Sequence, residues 1–286
     1  MITTNRLKVY GRLMRLDKPI GILLLLWPML WGLWLAAGGL PDGLVLGIFI
    51  MGTILMRSAG CVINDYADRK IDLHVERTKN RPFATGSVTT REALLLAAGL
   101  SFCAFLLILP LNQLTIMLSV CALFLAASYP FTKRFLAMPQ AYLGIAFSFG
   151  IPMAFAAQTN ALPVTVWLLM IANLFWVIAY DTEYAMVDKA DDLKIGIKTS
   201  AITFGRFDVW GVMLCHFIFL GMMGIVGLLI EMGVAYYAGL SVALCLIIFQ
   251  YSLIRNRNAK QCFRAFLHNN WVGAVVFAGI ALDLIT

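Results

Sequence analysis

The chain has 286 residues, of which 61% are hydrophobic and only 13% charged. Soluble domains carry roughly 25% charged residues, so this composition excludes a water-soluble globular protein and implies an integral membrane protein. The formal net charge of +7 is accounted for by membrane orientation and attraction to anionic lipid, which leaves no role for nucleic-acid binding.

A bilayer-spanning helix needs ~20 mostly apolar residues, and the polar breaks in the chain define nine such spans. In order they are Pro19 to Ala37, Gly43 to Ile63, Glu92 to Leu109, Leu114 to Phe131, Met138 to Ala157, Leu162 to Tyr180, Val209 to Ile230, Val234 to Ile254 and Asn270 to Ile285. The first run is too long for a signal-peptide core, contains Pro28 and lacks a small-residue cleavage site, so it is expected to remain as a membrane helix. Pro28 and Pro152 predict kinks. The six cysteines contain no CxxC pair and mostly lie in apolar runs, so they are expected to be free thiols. His74, His216 and His268 lack ligand spacing and are assigned structural roles.

Numbering the spans sorts the charges. Arg6, Lys8, Arg12, Arg15 and Lys18 precede the first span, and the other Lys and Arg follow or end spans two, four, six and eight. The opposite connections contain none. By the positive-inside rule the N-terminus is expected to be cytoplasmic, as in a bacterial inner membrane. The connections after spans two and six are long, and loops of that length in a compact protein are usually functional. The whole chain, 1–286, is expected to form a single transmembrane domain.

Each long connection opens with an acidic cluster: NDYADRKID at Asn64 to Asp72, and DTEYAMVDKADD at Asp181 to Asp192. Together they hold more than half of the fifteen carboxylates. Asn64, Asp68 and Asp72 are four apart, and Asp181, Asp188 and Asp192 are seven and four apart, so each trio is expected on one helical face. Stacked like charges repel, and a bound cation removes the repulsion. Asp65 and Glu183 fall off these faces and are expected to be solvated or salt-bridged. Mg2+ typically takes one or two carboxylates plus waters and phosphate oxygens, so two facing acidic helices can hold ions with a diphosphate between them. The interleaved Arg77, Lys79 and Arg81, together with Lys133 and Arg134 after span four, fit the same substrate. Arginine forks match phosphate oxygens, and lysine acts as a point charge.

These motifs resemble a known family. NDYADRKID is similar to the NDxxDxxxD signature of the UbiA superfamily of membrane aromatic prenyltransferases, and DTEYAMVDKADD with GIKTSAI (Gly196 to Ile202) resembles its second signature. LDKPIGILLLLWP (Leu16 to Pro28), AGCVINDYADR (Ala59 to Arg69) and RTKNRPFATG (Arg77 to Gly86) resemble the branch that prenylates 4-hydroxybenzoate in ubiquinone biosynthesis. The likeness covers nearly the whole chain, and Ala190 departs from it, standing where relatives often carry a further Asp. The resemblance implies an all-α bundle of nine transmembrane helices around a central cavity, with Mg2+ held by Asn64, Asp68, Asp72, Asp188 and Asp192. It further implies that polyprenyl diphosphate and 4-hydroxybenzoate are the substrates and that the prenyl group goes to the ring 3-position with release of diphosphate. Arg15, Arg77, Lys79, Arg81 and Lys133 are then expected to bind substrate. Asp188 and Asp191 are assigned to catalysis, Asp191 as the group that polarises the phenol or takes the ring proton, and Arg134 as the partner of the acceptor carboxylate. Prenyl transfer to a naphthoate, homogentisate or haem is the neighbouring alternative. A cation or phosphate transporter is disfavoured because transporter sites lie near the bilayer midplane, and a lipid head-group phosphotransferase because DGxxAR is absent. Prenyl chain length and oligomeric state are not encoded in these motifs.

Overall fold

The computed structural model describes residues 2–285, with side chains from residue 6 onward. Its helices are α1 (Ile2–Leu13), α2 (Ile20–Ala37), α3 (Gly43–Asp68), α4 (Thr90–Ile108), α5 (Gln113–Thr132), α6 (Pro139–Ser148), α7 (Gly150–Thr159), α8 (Val164–Ile195), α9 (Ser200–Thr203), α10 (Asp208–Leu229), α11 (Val234–Ile254) and α12 (Ala259–Asp283). With α6 and α7 counted as one span, nine helical stretches among the described residues are long and apolar enough to cross a membrane. None of the described residues is in a strand.

Local chemistry explains the boundaries. Asp42 accepts from the Leu44 and Val45 amides to cap α3, and Thr89 and Glu92 form a reciprocal capping box on α4. Asn112 caps α5 and Asn258 caps α12 in the same way, in each case satisfying amides left over by the helical pattern. The Asp283 carboxylate accepts from the Gly233 and Tyr236 amides at 2.6 and 3.1 Å, so the end of α12 caps the start of α11. Span five breaks at Phe149 between α6 and α7. Pro152 has no N–H for the Ser148 carbonyl four residues earlier, which is the expected cause. Pro28, by contrast, lies inside an unbroken α2.

Three boundaries differ from those the hydropathy pattern predicts. Helix α3 continues through the first acidic cluster to Asp68, and α8 runs 32 residues to Ile195. At 1.5 Å per residue α8 is ~48 Å long, more than the ~30 Å hydrocarbon layer, so its acidic end projects beyond the membrane. Helix α12 begins at Ala259, eleven residues before the predicted Asn270, because its first turns are amphipathic. The two long connections shrink accordingly to residues 69–89 and 196–207. The short amphipathic α1 was not predicted. Its Leu13 is buried with Val62, Val88, Ala93 and Ala97, and the Tyr10 hydroxyl donates to Glu92 at 3.2 Å.

The main core lies where α2, α8 and α10 meet. Trp31, Trp176 and Phe219 pack with ring centroids 5.2 to 5.9 Å apart, and each is fully buried. The Trp31 indole N–H donates to the Gly273 carbonyl and that of Trp176 to Asn269 Oδ1 at 3.0 Å. Asn269 in turn donates to Glu183 at 2.8 Å and His216 Nε2 stands 3.7 Å from its other oxygen, so Glu183, expected to be solvated or salt-bridged, is buried in the bundle beside an imidazole. Helices α11 and α12 meet at Gly239 and Gly279, where a Cβ on Gly239 would stand 2.9 Å from the Gly279 Cα. Small residues permit such close approach in membranes, where packing drives helix association.

Candidate active site

A cavity of about 910 Å³ runs between α2, α3, α4, α5, α6, α7 and α8. Its deep part is apolar, walled by residues such as Leu24, Met29, Phe49, Phe105, Leu143 and Phe147. Its mouth is polar, because the ends of α3 and α8 and the segment 71–82 converge there. Asn64, Asp65, Asp68, Asp72, Asp181, Asp188 and Asp192 all line it, as do Arg15, Arg77, Arg81 and Lys133.

Acid and base are paired across this mouth. Lys133 Nζ, brought by the turn after α5, donates to Asp68 Oδ2 at 2.7 Å and to Asn64 Oδ1 at 3.4 Å. Arg81 lies 2.9 Å from Asp72 and 3.1 Å from Asp65, and Arg15 meets Asp65 at 2.6 Å. Arg77 Nε donates to Asp188 Oδ2 at 3.0 Å, while the same guanidinium bonds the Tyr184 hydroxyl and lies 4.4 Å over its ring. Three elements distant in sequence, the 71–82 segment, the α5 turn and α8, are thus joined through charge. Among the described residues no three His, Cys, Asp or Glu side chains converge on one point as a ready cation site. The reason is visible in the pairing: ammonium and guanidinium groups stand between the carboxylates and neutralise them.

Burial sharpens this electrostatic balance. Asp72 is 3% exposed. Burial pushes its carboxyl above the ordinary value, Arg81 opposes the shift, and Asp68 and Asp65 add to it. Burial works against the charge of Lys133, yet Asp68 and Tyr129 outweigh it and hold the ammonium more basic than usual. For Arg77 burial is likewise outweighed, by Tyr184 and Asp188. For Arg15 it is outweighed chiefly by Asp65. Arg15 also adopts a left-handed backbone with φ 56°, a conformation that costs a non-glycine residue of order 1–3 kcal/mol and persists where surroundings over-determine it. Its ion pair to the buried Asp65 is such a constraint.

The predicted residues separate into two groups. Asp181, Asp188 and Asp192 share α8 as expected. Asp72 does not share a helix with Asn64 and Asp68: α3 ends at Asp68, and Asp72 opens a short 3₁₀ turn, Asp72–His74, that folds it back toward Arg81. Asp65, expected to be solvated or salt-bridged, is a buried ion-pair residue. Lys79, Asp191 and Arg134 are not in the cavity wall. Lys79 pairs with Glu76 at 2.7 Å and Asp191 with Lys194 at 3.3 Å, three residues away in each case. Arg134 donates to the Ala67 carbonyl at 2.8 Å and lies over Phe131, fastening the α5 turn to the end of α3.

Arg57 belongs to the cavity although its position predicted only membrane orientation. It lies three helical turns below Asp68 on α3 and lines the cavity. Its Nη1 donates to Cys61 Sγ at 2.8 Å, its guanidinium lies 6.0 Å from the Phe147 ring, and its buried Nε has no hydrogen-bond partner. Among the described residues it forms no salt bridge with a carboxylate. The signal was present, since an arginine inside an apolar span is itself a mark of function. Tyr129, Gln140, Tyr180 and Asp181 line the same region. All six cysteines are free.

Residues 25–278 match the UbiA prenyltransferase family. A 4-hydroxybenzoate octaprenyltransferase of Nitrosomonas europaea is 72% identical over 99% of this chain and 97% of its own length. One from Nitrosospira multiformis is 73% identical over 99% and 98%. Among solved structures, a UbiA homolog from Aeropyrum pernix superposes with a TM-score of 0.80 at 24% identity, covering 92% of this chain and 97% of that one. A UbiA homolog from Archaeoglobus fulgidus bound to GPP and Mg2+ gives 0.73 at 17% identity, covering 96% and 99%. At these identities the structures speak for the fold, and the family match speaks for descent: this chain belongs to the UbiA prenyltransferase family.

Proposed function

We propose that the protein transfers a polyprenyl group from polyprenyl diphosphate to the 3-position of 4-hydroxybenzoate, with Mg2+ as cofactor. The observation that carries this reading is a cavity with an acid-and-base mouth and an apolar interior, in a chain over 70% identical to two 4-hydroxybenzoate octaprenyltransferases. We read the chain as one transmembrane prenyltransferase domain, in keeping with the match over residues 25–278. Its polar mouth is taken to face the cytoplasm of a bacterial inner membrane, since the basic residues gather at that end.

The oxygen donors of the mouth fit a hard cation, with Asn64, Asp68, Asp72, Asp188 and Asp192 as the proposed ligands. Mg2+ bound there would neutralise the departing diphosphate as a Lewis acid. Lys133, Arg81 and Arg77 now neutralise Asp68, Asp72 and Asp188, and Arg15 neutralises the neighbouring Asp65; in the loaded site these cations would turn to phosphate oxygens. Arg57, a partly buried guanidinium that forms no salt bridge with a carboxylate among the described residues, is the proposed clamp for the 4-hydroxybenzoate carboxylate. It suits that role better than Arg134, which lies outside the cavity wall. The clamp holds the ring below the mouth, so that the carbon ortho to the hydroxyl bonds to the first carbon of the prenyl chain. Asp181, which lines the cavity about two helical turns before Asp188 on α8, is the proposed acceptor of the displaced ring proton, in preference to Asp191, which pairs with Lys194 outside the wall. Tyr129, Tyr180 and Phe147 keep water from the reacting carbon.

The test is incubation of purified protein with Mg2+, octaprenyl diphosphate and a panel of acceptors including 4-hydroxybenzoate and a hydroxynaphthoate. A product with the mass of octaprenyl-4-hydroxybenzoate, formed with equimolar diphosphate and abolished by a chelator, is expected. Turnover of only another acceptor would refute the assignment of substrate.

A further inference from the structure

The Arg57 guanidinium reaches from α3 to the first turn of α2 and rests there on Gly21, which is buried and also lines the cavity. A Cβ built on Gly21 would overlap Arg57 Nη2 and stand 2.6 Å from Nε and 2.8 Å from Cζ, and these are its three nearest atoms. The φ of Gly21 is not positive, so no turn requires a glycine. The atoms that face Gly239 and Gly279 are backbone of a neighbouring helix, whereas those that face Gly21 are the charged tip of one side chain. Directional bonding holds this tip weakly. Its Nη1 donates to the Cys61 sulfur and its buried Nε has no hydrogen-bond partner, and sulfur is a weak acceptor. Shape therefore sets where the guanidinium sits, and Gly21 supplies the shape.

We propose that Gly21 is a positioning residue for the aromatic acceptor: its missing side chain sets how close to α2 the Arg57 guanidinium, and with it the acceptor carboxylate, can lie. The inference rests on the reading of Arg57 as the acceptor clamp. Gly21→Ala adds a methyl group that needs at least the 3.4 Å of ordinary van der Waals contact, so one partner has to give way. Helix α2 is pinned, with Leu24 2% exposed in the main core, the Trp27 indole donating to Asn270 Oδ1 at 2.9 Å and that of Trp31 to the Gly273 carbonyl. The arginine tip ends a flexible chain, and it is the part that moves. It retreats by about 1 Å, and a misplacement of that size can cost about 100-fold in reaction.

The experiment measures KM for 4-hydroxybenzoate and for octaprenyl diphosphate, with Mg2+, in wild type, Gly21→Ala, Arg57→Ala and the double variant, together with thermal midpoints in detergent. Gly21→Ala should raise the acceptor KM by at least about tenfold, within the reach of a displaced clamp, and leave the donor KM unchanged. Added to Arg57→Ala it should raise the acceptor KM by no more than about twofold, since changes that act through one group are not additive. Its thermal midpoint should hold, because alanine is the better helix former. An unchanged acceptor KM, an equal rise in both KM values, the same added rise with and without Arg57, or a lower midpoint would each overturn the role of Gly21. An acceptor KM unchanged in Arg57→Ala would instead overturn the clamp reading itself.

Discussion

Lys133 and Asp68 meet at 2.7 Å across the mouth of the cavity, the ammonium at the end of α5 and the carboxylate at the last residue of α3. The proposed cation and this ammonium therefore compete for the same oxygen. Lys133→Met should tighten Mg2+ binding in the absence of donor, while raising the KM for polyprenyl diphosphate. A charge-assisted hydrogen bond is worth ~1.5–3 kcal/mol, so each change should be about 10- to 100-fold. Mg2+ titration by calorimetry and steady-state kinetics read the two effects separately. A fall in Mg2+ affinity would refute the competition, and an unchanged donor KM would place Lys133 only in the apo structure.

Arg57 and Arg134 should differ in kind. Arg57→Ala is expected to raise the KM for 4-hydroxybenzoate by about 10- to 100-fold, the range set by ~1.5–3 kcal/mol for a hydrogen-bonded charge, and to leave the donor KM unchanged. Arg57→Lys should recover part of the loss. Arg134→Ala should leave the acceptor KM within about twofold, as for a side chain outside the reacting centre. The reverse pattern would return the acceptor carboxylate to Arg134.

Asp191 and Asp192 are neighbours on α8 with different surroundings, since Asp192 lines the cavity and Asp191 pairs with Lys194. Asp192→Ala should cut kcat by at least about 100-fold, as expected when general catalytic or metal-holding groups are removed. Asp191→Ala and Lys79→Ala should retain activity within about twofold. Product formation by mass spectrometry at saturating Mg2+ decides between them.

Stability offers a separate test at the α11–α12 contact. Gly279→Leu places a Cβ 3.1 Å from the Gly239 Cα and 3.2 Å from two carbonyl oxygens, and overpacking of this sort costs ~1–3 kcal/mol. Its thermal midpoint in detergent should fall, whereas that of Gly221→Leu, where a Cβ meets nothing within 4 Å, should not. Equal midpoints would show that the two helices adjust without strain.

Much of this was legible in the chain because hydrocarbon thickness and helical rise impose a length on every span, and runs such as Gly43 to Ile63 meet it. The acidic clusters were legible because charge is scarce in this composition. Less legible was whatever depends on what a residue meets. A spacing of four predicts one face for Asn64, Asp68 and Asp72 only if the helix continues, and it stops at Asp68. Arg134 and Lys133 look alike in sequence, yet one reaches a carboxylate and the other a backbone carbonyl. Arg57 was hidden because one cation in an apolar run also serves orientation, and only the absent carboxylate partner tells the two apart.

The aromatic contact among Trp31, Trp176 and Phe219 divides the bundle mechanically. In α8 56% of the apolar window is buried, and in α5, on the other side of the cavity, only 11%. One wall is therefore an anvil of close-packed side chains on which the carboxylates of α8 are mounted. The other turns most of its surface to lipid or to the cavity, so little protein stands there between the cavity and the bilayer.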